Sequence, residues 1–291
     1  MITPSEPATP SQKIIDQMIV TIASLIEDGD FLAEGIGTFL PTAAYMLAKH
    51  THAPNCTILC PNGNVIVTGT RTLTLGHDEF MTVTNAIKWL TYLEINLLYM
   101  PMILVGGSPR WTEFMRPAQV DPWGATNNVC IGAYANPRVR FPGAAGIPDV
   151  STVARRFCYY VPRHSPEVFV PTLDFCSAAG NPRPNADDGA GPARKIVVVT
   201  NLCVLVSASD GHLRGFALQP DVTREQVAAQ TGFELDWVDQ PAVCSRPTAK
   251  QQRLLDGPID PRGLRHLEAL SGATRRARLR ELASLEYVPI A

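Results

Sequence analysis

Between Ser11 and Asp28 the apolar residues Ile14, Ile15, Met18, Ile19, Ile22, Leu25 and Ile26 recur at three- and four-residue steps. This predicts an amphipathic helix of about five turns, with Ser11 as N-cap and Gly29 as its stop. Phe31-Leu32-Ala33 reads as a buried strand leading to Glu34-Gly35-Ile36-Gly37, and a second helix follows from about Leu40 to His50. Cys56 to Cys60 is a short apolar strand stopped by Pro61-Asn62-Gly63-Asn64. Val65 to Thr74 is β-branched strand and loop, Asn85 to Leu98 has helical steps, and Met100 to Val105 reads as a strand ending at Gly106-Gly107. Ser108 to Pro117, rich in aromatics and arginines, reads as a loop over a ligand or partner, or as a locally packed surface excursion.

Farther on, Ala118 to Asn127 resembles two short strands joined at Pro122-Trp123-Gly124, and Val129 to Ile131 continues as buried strand. Arg138 to Gly146 has the character of a backbone-amide loop or a connector. Phe157 to Val161, Val168 to Val170, Lys195 to Thr200, Val204 to Ser207 and Leu213 to Leu218 are strand candidates, the last entered through a hairpin turn at Asp210-Gly211. Gly180 to Arg194 is the most loop-like stretch. Thr223 to Gln230 is a short capped helix, and the tail from Arg246 is helical with a solvated arginine face at Arg275, Arg276, Arg278 and Arg280.

The 291 residues suffice for one large α/β domain or two modest ones. With 25 Lys+Arg against 27 Asp+Glu, no basic field invites nucleic acid or an anionic membrane. Only 18% of residues are charged, a sparse surface that points to a subunit interface. The seven cysteines show no CxxC pair and no histidine at metal spacing, so reduced thiols and no metal are expected. No signal peptide or membrane span is evident, and a cytoplasmic location is expected.

Three stretches offer chemistry. The carboxyl ends of strands in α/β sheets gather ligands, which draws attention to the turn at Pro61-Asn62-Gly63. The Gly35 to Gly37 turn before a helix can cradle a phosphate or carbonyl. Glu34 beside it is either a catalytic carboxylate or a solvated strand end, while His77 in the polar Gly76-His77-Asp78-Glu79 loop has no sequence neighbour to orient it.

Taken in order, Gly35-Ile36-Gly37-Thr38-Phe39-Leu40-Pro41, His52-Ala53-Pro54-Asn55, Ala118-Gln119-Val120-Asp121 with Gly124 and Asn127, Arg138 to Gly146, Thr231-Gly232-Phe233-Glu234 and Ile259-Asp260-Pro261 resemble the β subunit of class I CoA-transferases, most like the glutaconate CoA-transferase type. The resemblance covers Lys13 to about Arg265. It implies an open, mainly parallel α/β sheet flanked by helices. A single domain would then run from 13 to 270, after a loosely held segment 1–12 and before a helical tail 271–291. It also implies an α-type partner, an α2β2 assembly, an active site built by both subunits, and coenzyme A as part of the substrate with no bound cofactor.

In that family a glutamate of a Glu-x-Gly signature attacks the acyl-CoA. With the glycine matched to Gly63, the glutamate position falls on Pro61, which has no nucleophile. Cys60 lies one residue away. Related β subunits that decarboxylate glutaconyl-type esters are similar in having a cysteine near this turn, and those similar to steroid ring-cleaving hydrolases also lack the glutamate. The resemblance therefore favours cleavage of a C–C bond beside a thioester that stays on CoA, with Glu34, Cys60 and Asn62 as candidate catalytic residues. Gly35, Gly37, Gly63, Gln119, Gly143 and Gly146 would contact the substrate or CoA, with loop and turn amides at the developing oxyanion. Arg116-Pro117 replaces the family's Gly-Gly, and Arg110 or Arg116 is either a partner for a substrate carboxylate or half of a structural ion pair. A true CoA-transferase using another carboxylate, and a silent scaffold for an active α subunit, are the alternatives.

Overall fold

The computed structural model describes residues 11–35, 37–60, 64–76, 86–91, 93–94, 111–153, 156–183 and 194–286. In chain order the first elements are α1 (Gln12–Ser24), β1 (Phe31–Ala33), α2 (Phe39–Thr51), β2 (Thr57–Cys60), β3 (Val65–Val67), β4 (Lys88–Trp89) and β5 (Trp111–Met115). Next come β6 (Gln119–Val120), β7 (Thr126–Asn127), β8 (Cys130–Ile131), β9 (Val139–Arg140), α3 (Ile147–Val153) and β10 (Arg156–Val161). Then follow β11 (Lys195–Thr200), β12 (Cys203–Ser207), β13 (Leu213–Leu218), α4 (Arg224–Ala229), β14 (Trp237–Val243), α5 (Ala249–Leu254) and α6 (Gly272–Glu286). Among the described residues no helix is long and apolar enough to cross a membrane.

The residues group into two units. The first comprises residues up to Asp30, Glu34–Trp89 and those from Ser245 on, and the second comprises Phe31–Ala33 and Leu90–Cys244.

In the first unit, α1 packs on α2 through the residues its periodicity marks out, Ile15, Met18, Ile19 and Ile22 of α1 being fully buried. The Ser11 hydroxyl accepts from the Ile14 amide at 3.4 Å, as an N-cap should. The helix ends four residues earlier than its apolar pattern suggests. Leu25 and Ile26 bond back to Ile22 and Ala23 in a tightened turn, and the Asp30 carboxylate takes the Glu27 amide at 2.9 Å. Strands β2, β3 and β4 are antiparallel neighbours. Within the stretch from Asn85 to Leu98, whose steps predict a helix, Lys88–Trp89 is a strand, because Trp89 pairs across to Val65, while Leu93 and Glu94 are helical; the rest of that stretch, and the Met100 to Val105 strand, lie largely or wholly outside the described residues.

The C-terminal segment of this unit is tied to its start by one buried side chain. Arg265 donates from Nε to Asp16 Oδ1 at 2.6 Å, from Nη2 to Asp256 at 2.6 Å and from Nη1 to Asp260 at 3.1 Å, and His266 reaches Asp16 at 3.1 Å. Burial alone would raise the Asp16 carboxyl. The bonds from His266 and Arg265, with the guanidinium charge, hold it well below the usual carboxylate range.

In the second unit the strand order is β14-β13-β12-β11-β10-β5-β1. Strands β1, β5, β10 and β11 run parallel, β12 and β13 turn back antiparallel, and β14 is parallel to β13. This is the α/β sheet that the family resemblance implies. Its core joins Phe157, Tyr159 and Val161 of β10 to Ile196 and Val198 of β11, with Ile147 and Val150 of α3 and Val227 of α4 against it. The capped helix at Thr223 is present as a full capping box with Gln226.

Trp111–Met115 corrects the loop reading. It is strand β5, paired with β1 on one side and β10 on the other. Its side chains alternate, Trp111 and Glu113 half-buried and Thr112 and Phe114 buried, a period of two hidden among its charges and flanking prolines. Val168–Val170 contributes one bridge, Val120 to Phe169, instead of a strand.

A second buried polar group lies here. His164 stacks on Phe169 with ring centroids 3.9 Å apart, and its ring nitrogens meet Thr200 Oγ1 at 3.1 Å and Thr231 Oγ1 at 3.0 Å. Thr231 donates its own proton to the Val227 carbonyl, so it accepts from Nε2–H, which assigns the neutral tautomer. Burial pushes this imidazole down to about 3.

Candidate active site

The chain leaves β1 at Glu34, whose amide donates to the Leu59 carbonyl of β2 at 3.0 Å. Glu34 and Cys60 are thereby set side by side at the end of β2. The Cys60 thiol donates to Glu34 Oε2 at 2.9 Å. Arg71, in the segment after β3, places Nη2 at 2.5 Å from Oε1 and 2.6 Å from Oε2 of Glu34, and at 3.5 Å from the Cys60 sulfur. All three side chains are buried, those of Glu34 and Arg71 to 2% exposure each. Glu34 is therefore neither solvated nor solitary. It is the carboxylate of a buried ion pair that also accepts a thiol.

Neighbouring segments fix this geometry. The Arg71 amide donates to Met46 Sδ of α2 at 3.4 Å, Thr72 Oγ1 to the Pro258 carbonyl at 2.8 Å, and the Leu73 amide to the Ile259 carbonyl at 2.7 Å. Lys49 of α2 donates to the carbonyls of Pro54 and Cys56 as the chain enters β2. Burial lowers the Lys49 ammonium, and the Arg71 charge lowers it further.

The turn from Gly35 to Gly37 leads into α2 as expected. A Cβ on Gly35 would lie 2.9 Å from Thr38 Cγ2, and glycine there lets Thr38 fold back to donate to the Gly35 carbonyl at 2.9 Å. The first turn of α2 is capped from within, since the Leu40 amide donates to Glu268 Oε1 at 2.7 Å. Pro61, Asn62 and Gly63, with His77 and Arg110, lie outside the described residues.

The remaining candidates belong to the second unit. Gln119 is buried, donating to Asp174 Oδ2 at 3.0 Å and accepting from Asn127 Nδ2 at 2.7 Å and the Asp174 amide at 3.1 Å. Asp121 accepts the Trp123 and Ala125 amides at 2.9 Å each, and Arg183 at 3.0 Å. Gly124 has φ +74°, and a Cβ there would sit 2.6 Å from Ile196 Cδ1. The Gln119, Asp121, Gly124 and Asn127 pattern thus builds a tight turn against β11. Arg116 is exposed, its carbonyl accepting from Asn128 at 2.8 Å. Gly143 and Gly146 are exposed in the loop before α3, where the Gly146 carbonyl takes the Val150 amide at 3.0 Å.

A family model described as Coenzyme A transferase matches residues 15–230, well over half of the chain. The chain belongs to the coenzyme A transferase family. Among curated members of the family it is 28% identical over 266 residues to the β subunit of the 3-oxoadipate CoA-transferase of Pseudomonas knackmussii, covering 89% of this chain and 94% of that protein. It is 27% identical to the cholesterol ring-cleaving hydrolase IpdB subunit of Rhodococcus jostii, over 82% of this chain and 89% of that one. Among solved structures, the decarboxylase AibA/AibB superposes with a TM-score of 0.74 at 26% identity, over 90% of this chain and all of that one. The match to the coenzyme A transferase family covers Glu34, Cys60 and Arg71 alike.

Of the sequence candidates, the structure brings together Glu34 and Cys60 and adds Arg71, which sequence reasoning passed over. Its signal was faint: one cation in the otherwise uncharged run from Val65 to Gly76. Among the described residues no cluster of three or more histidine, cysteine or carboxylate side chains is arranged to hold a metal ion.

Proposed function

We propose that this chain is the β subunit of a heteromeric enzyme acting on an acyl-CoA thioester, and that it serves cleavage of a C–C bond beside the thioester without becoming esterified. The observation that carries this reading is the state of Glu34. An attacking carboxylate needs an oxygen free to form a bond, whereas Glu34 has both oxygens on the Arg71 guanidinium and one also on the Cys60 thiol. The sequence supports it, with proline at 61 where the resemblance puts the acyl-accepting glutamate. The relatives named as a ring-cleaving hydrolase subunit and a decarboxylase support it as well.

When such a bond breaks, its electron pair passes to the carbon beside the thioester and spreads onto the carbonyl oxygen. Backbone amide donors at that oxygen would stabilise the developing charge. The carbon must then take a proton, and the Cys60 thiol with Glu34 beside it is the pair suited to supply one. An α-type subunit completes the assembly and contributes the rest of the machinery. The acyl group would be ring-derived or dicarboxylic.

A second reading, transfer of CoA between carboxylic acids, is favoured by the relative named as a 3-oxoadipate CoA-transferase. Trapping separates the two. The heteromer is incubated with acyl-CoA and borohydride or hydroxylamine and digested for mass spectrometry. C–C cleavage predicts turnover with every glutamate unmodified; a reduced or hydroxamated glutamate would make it a transferase.

A further inference from the structure

We infer that Arg71 is a positioning residue of this site: it holds Glu34 as a fixed, ionised acceptor facing the Cys60 thiol, and its charge allows the sulfur to give up a proton beside a carboxylate. The inference rests on the proposed acyl-CoA reaction and deepens it by naming the group that stands behind the proton-transferring pair.

The argument starts from burial. A carboxylate removed from water and left alone takes up a proton instead of keeping its charge. Protonated, Glu34 would offer an O–H to the sulfur, and the Cys60 to Glu34 hydrogen bond would reverse. Arg71 prevents this, because a single guanidinium nitrogen straddles both Glu34 oxygens. The same nitrogen stands 3.5 Å from the sulfur.

Its second task follows from the reaction. As Cys60 protonates the substrate carbon, the S–H bond breaks and a C–H bond forms, leaving a thiolate next to a carboxylate. Two anions in contact in a buried place repel strongly, and one guanidinium touching both offsets that repulsion. Water returns the proton to sulfur before the next turnover. Placement is rigid, since the amide of Arg71 and the next two residues are bonded to Met46, Pro258 and Ile259. Lys49, a second cation within electrostatic reach of Arg71, has its ammonium committed to two backbone carbonyls.

Infrared difference spectra of the intact heteromer without acyl-CoA, each taken against Glu34→Gln, read the ionisation of Glu34 directly. At neutral pH the wild type and Arg71→Lys are expected to show a carboxylate, and Arg71→Met a protonated carboxyl band. In turnover, Arg71→Met should lose on the order of 100-fold in kcat with KM little changed, and Arg71→Lys should recover most of it. Because Arg71 acts through Glu34, the double variant Glu34→Gln/Arg71→Met should be no slower than Glu34→Gln alone. That double variant removes both charges together, so it and Arg71→Lys carry the test if Arg71→Met does not fold. Glu34 remaining ionised in Arg71→Met, equal losses in Arg71→Lys and Arg71→Met, or additive losses in the double variant would each overturn the inference. A heteromer inert toward acyl-CoA would sink the proposed reaction instead, while the infrared result still decides the role of Arg71.

Discussion

Arg71 and Arg265 are both buried guanidiniums of the first unit, and they keep different company. Arg265 faces three carboxylates, Asp16, Asp256 and Asp260, and two backbone carbonyls, those of Leu255 and Asp260. Its negative partners outnumber it, and the ties span nearly the whole chain, Asp16 lying 249 residues away. Among the described residues the side chain of Arg71 instead meets the Glu34 carboxylate and the Cys60 thiol. The first is a clasp, whose loss is felt in folding. The second sets a thiol beside an ion pair, the grouping that the proposed proton transfer calls for.

Stability measurements can break that comparison. Arg265→Met is expected to have the largest effect. Stranding Asp16 and Asp260 without their cation should cost about 3–5 kcal/mol, read from denaturant unfolding; a cost below about 1 kcal/mol, the range of a surface pair, would mean that Arg265 is no clasp.

Next comes acid. The folded value of His164 is about 3 against an ordinary 6.5, so the unfolded chain binds its proton first. Stability from this group is full above 6.5 and drains as pH falls through that value toward 3. At about pH 5 the loss should be roughly 2 kcal/mol, and His164→Asn should flatten this part of the profile. An unchanged slope in that variant would place the acid sensitivity elsewhere, with Asp16 the next group to examine at lower pH.

Gly124→Ala should cost about 1–2 kcal/mol, since the residue sits at positive φ and the new methyl meets Ile196. A neutral result would show that β11 gives way. The smallest effect on stability is expected from Cys60→Ser, which keeps a donor toward Glu34 and changes little volume. Its unfolding midpoint should stay within the range of ordinary surface changes, while kcat falls on the order of 100-fold because the hydroxyl is a far poorer acid. Full activity in Cys60→Ser would remove the thiol from the mechanism and leave Arg71 as a second clasp.

What was legible in the sequence was whatever repeats locally. The α1 stripe from Ile15 to Ile22, the strands β10 to β13, the Asp210-Gly211 turn and the Thr223 capping box each announce themselves within a few residues, because side-chain periodicity and cap chemistry are local properties. Strand β5 is hard to read because it is short, its half-buried positions carry a tryptophan and a glutamate, and one of its buried ones is the polar Thr112. Strand β14 went unread with Pro241 in its middle, as an edge position allows. Glu34 and Cys60 stood out separately, each at the end of its own strand, but their contact with one another and with Arg71 was not legible. The partners of Arg71 lie 37 and 11 residues back, and only the pairing of β2 with β3 brings that segment round.

The Glu268 bond to the Leu40 amide has a practical corollary. Residues beyond 230 fall outside the family match, yet they lend α2 its cap at Leu40 and anchor the backbone that presents Arg71. A shortened version ending where family likeness ends would keep every candidate side chain of the site while withdrawing the props behind it, so dissection of this chain by trimming should leave Pro258 to Glu268 in place.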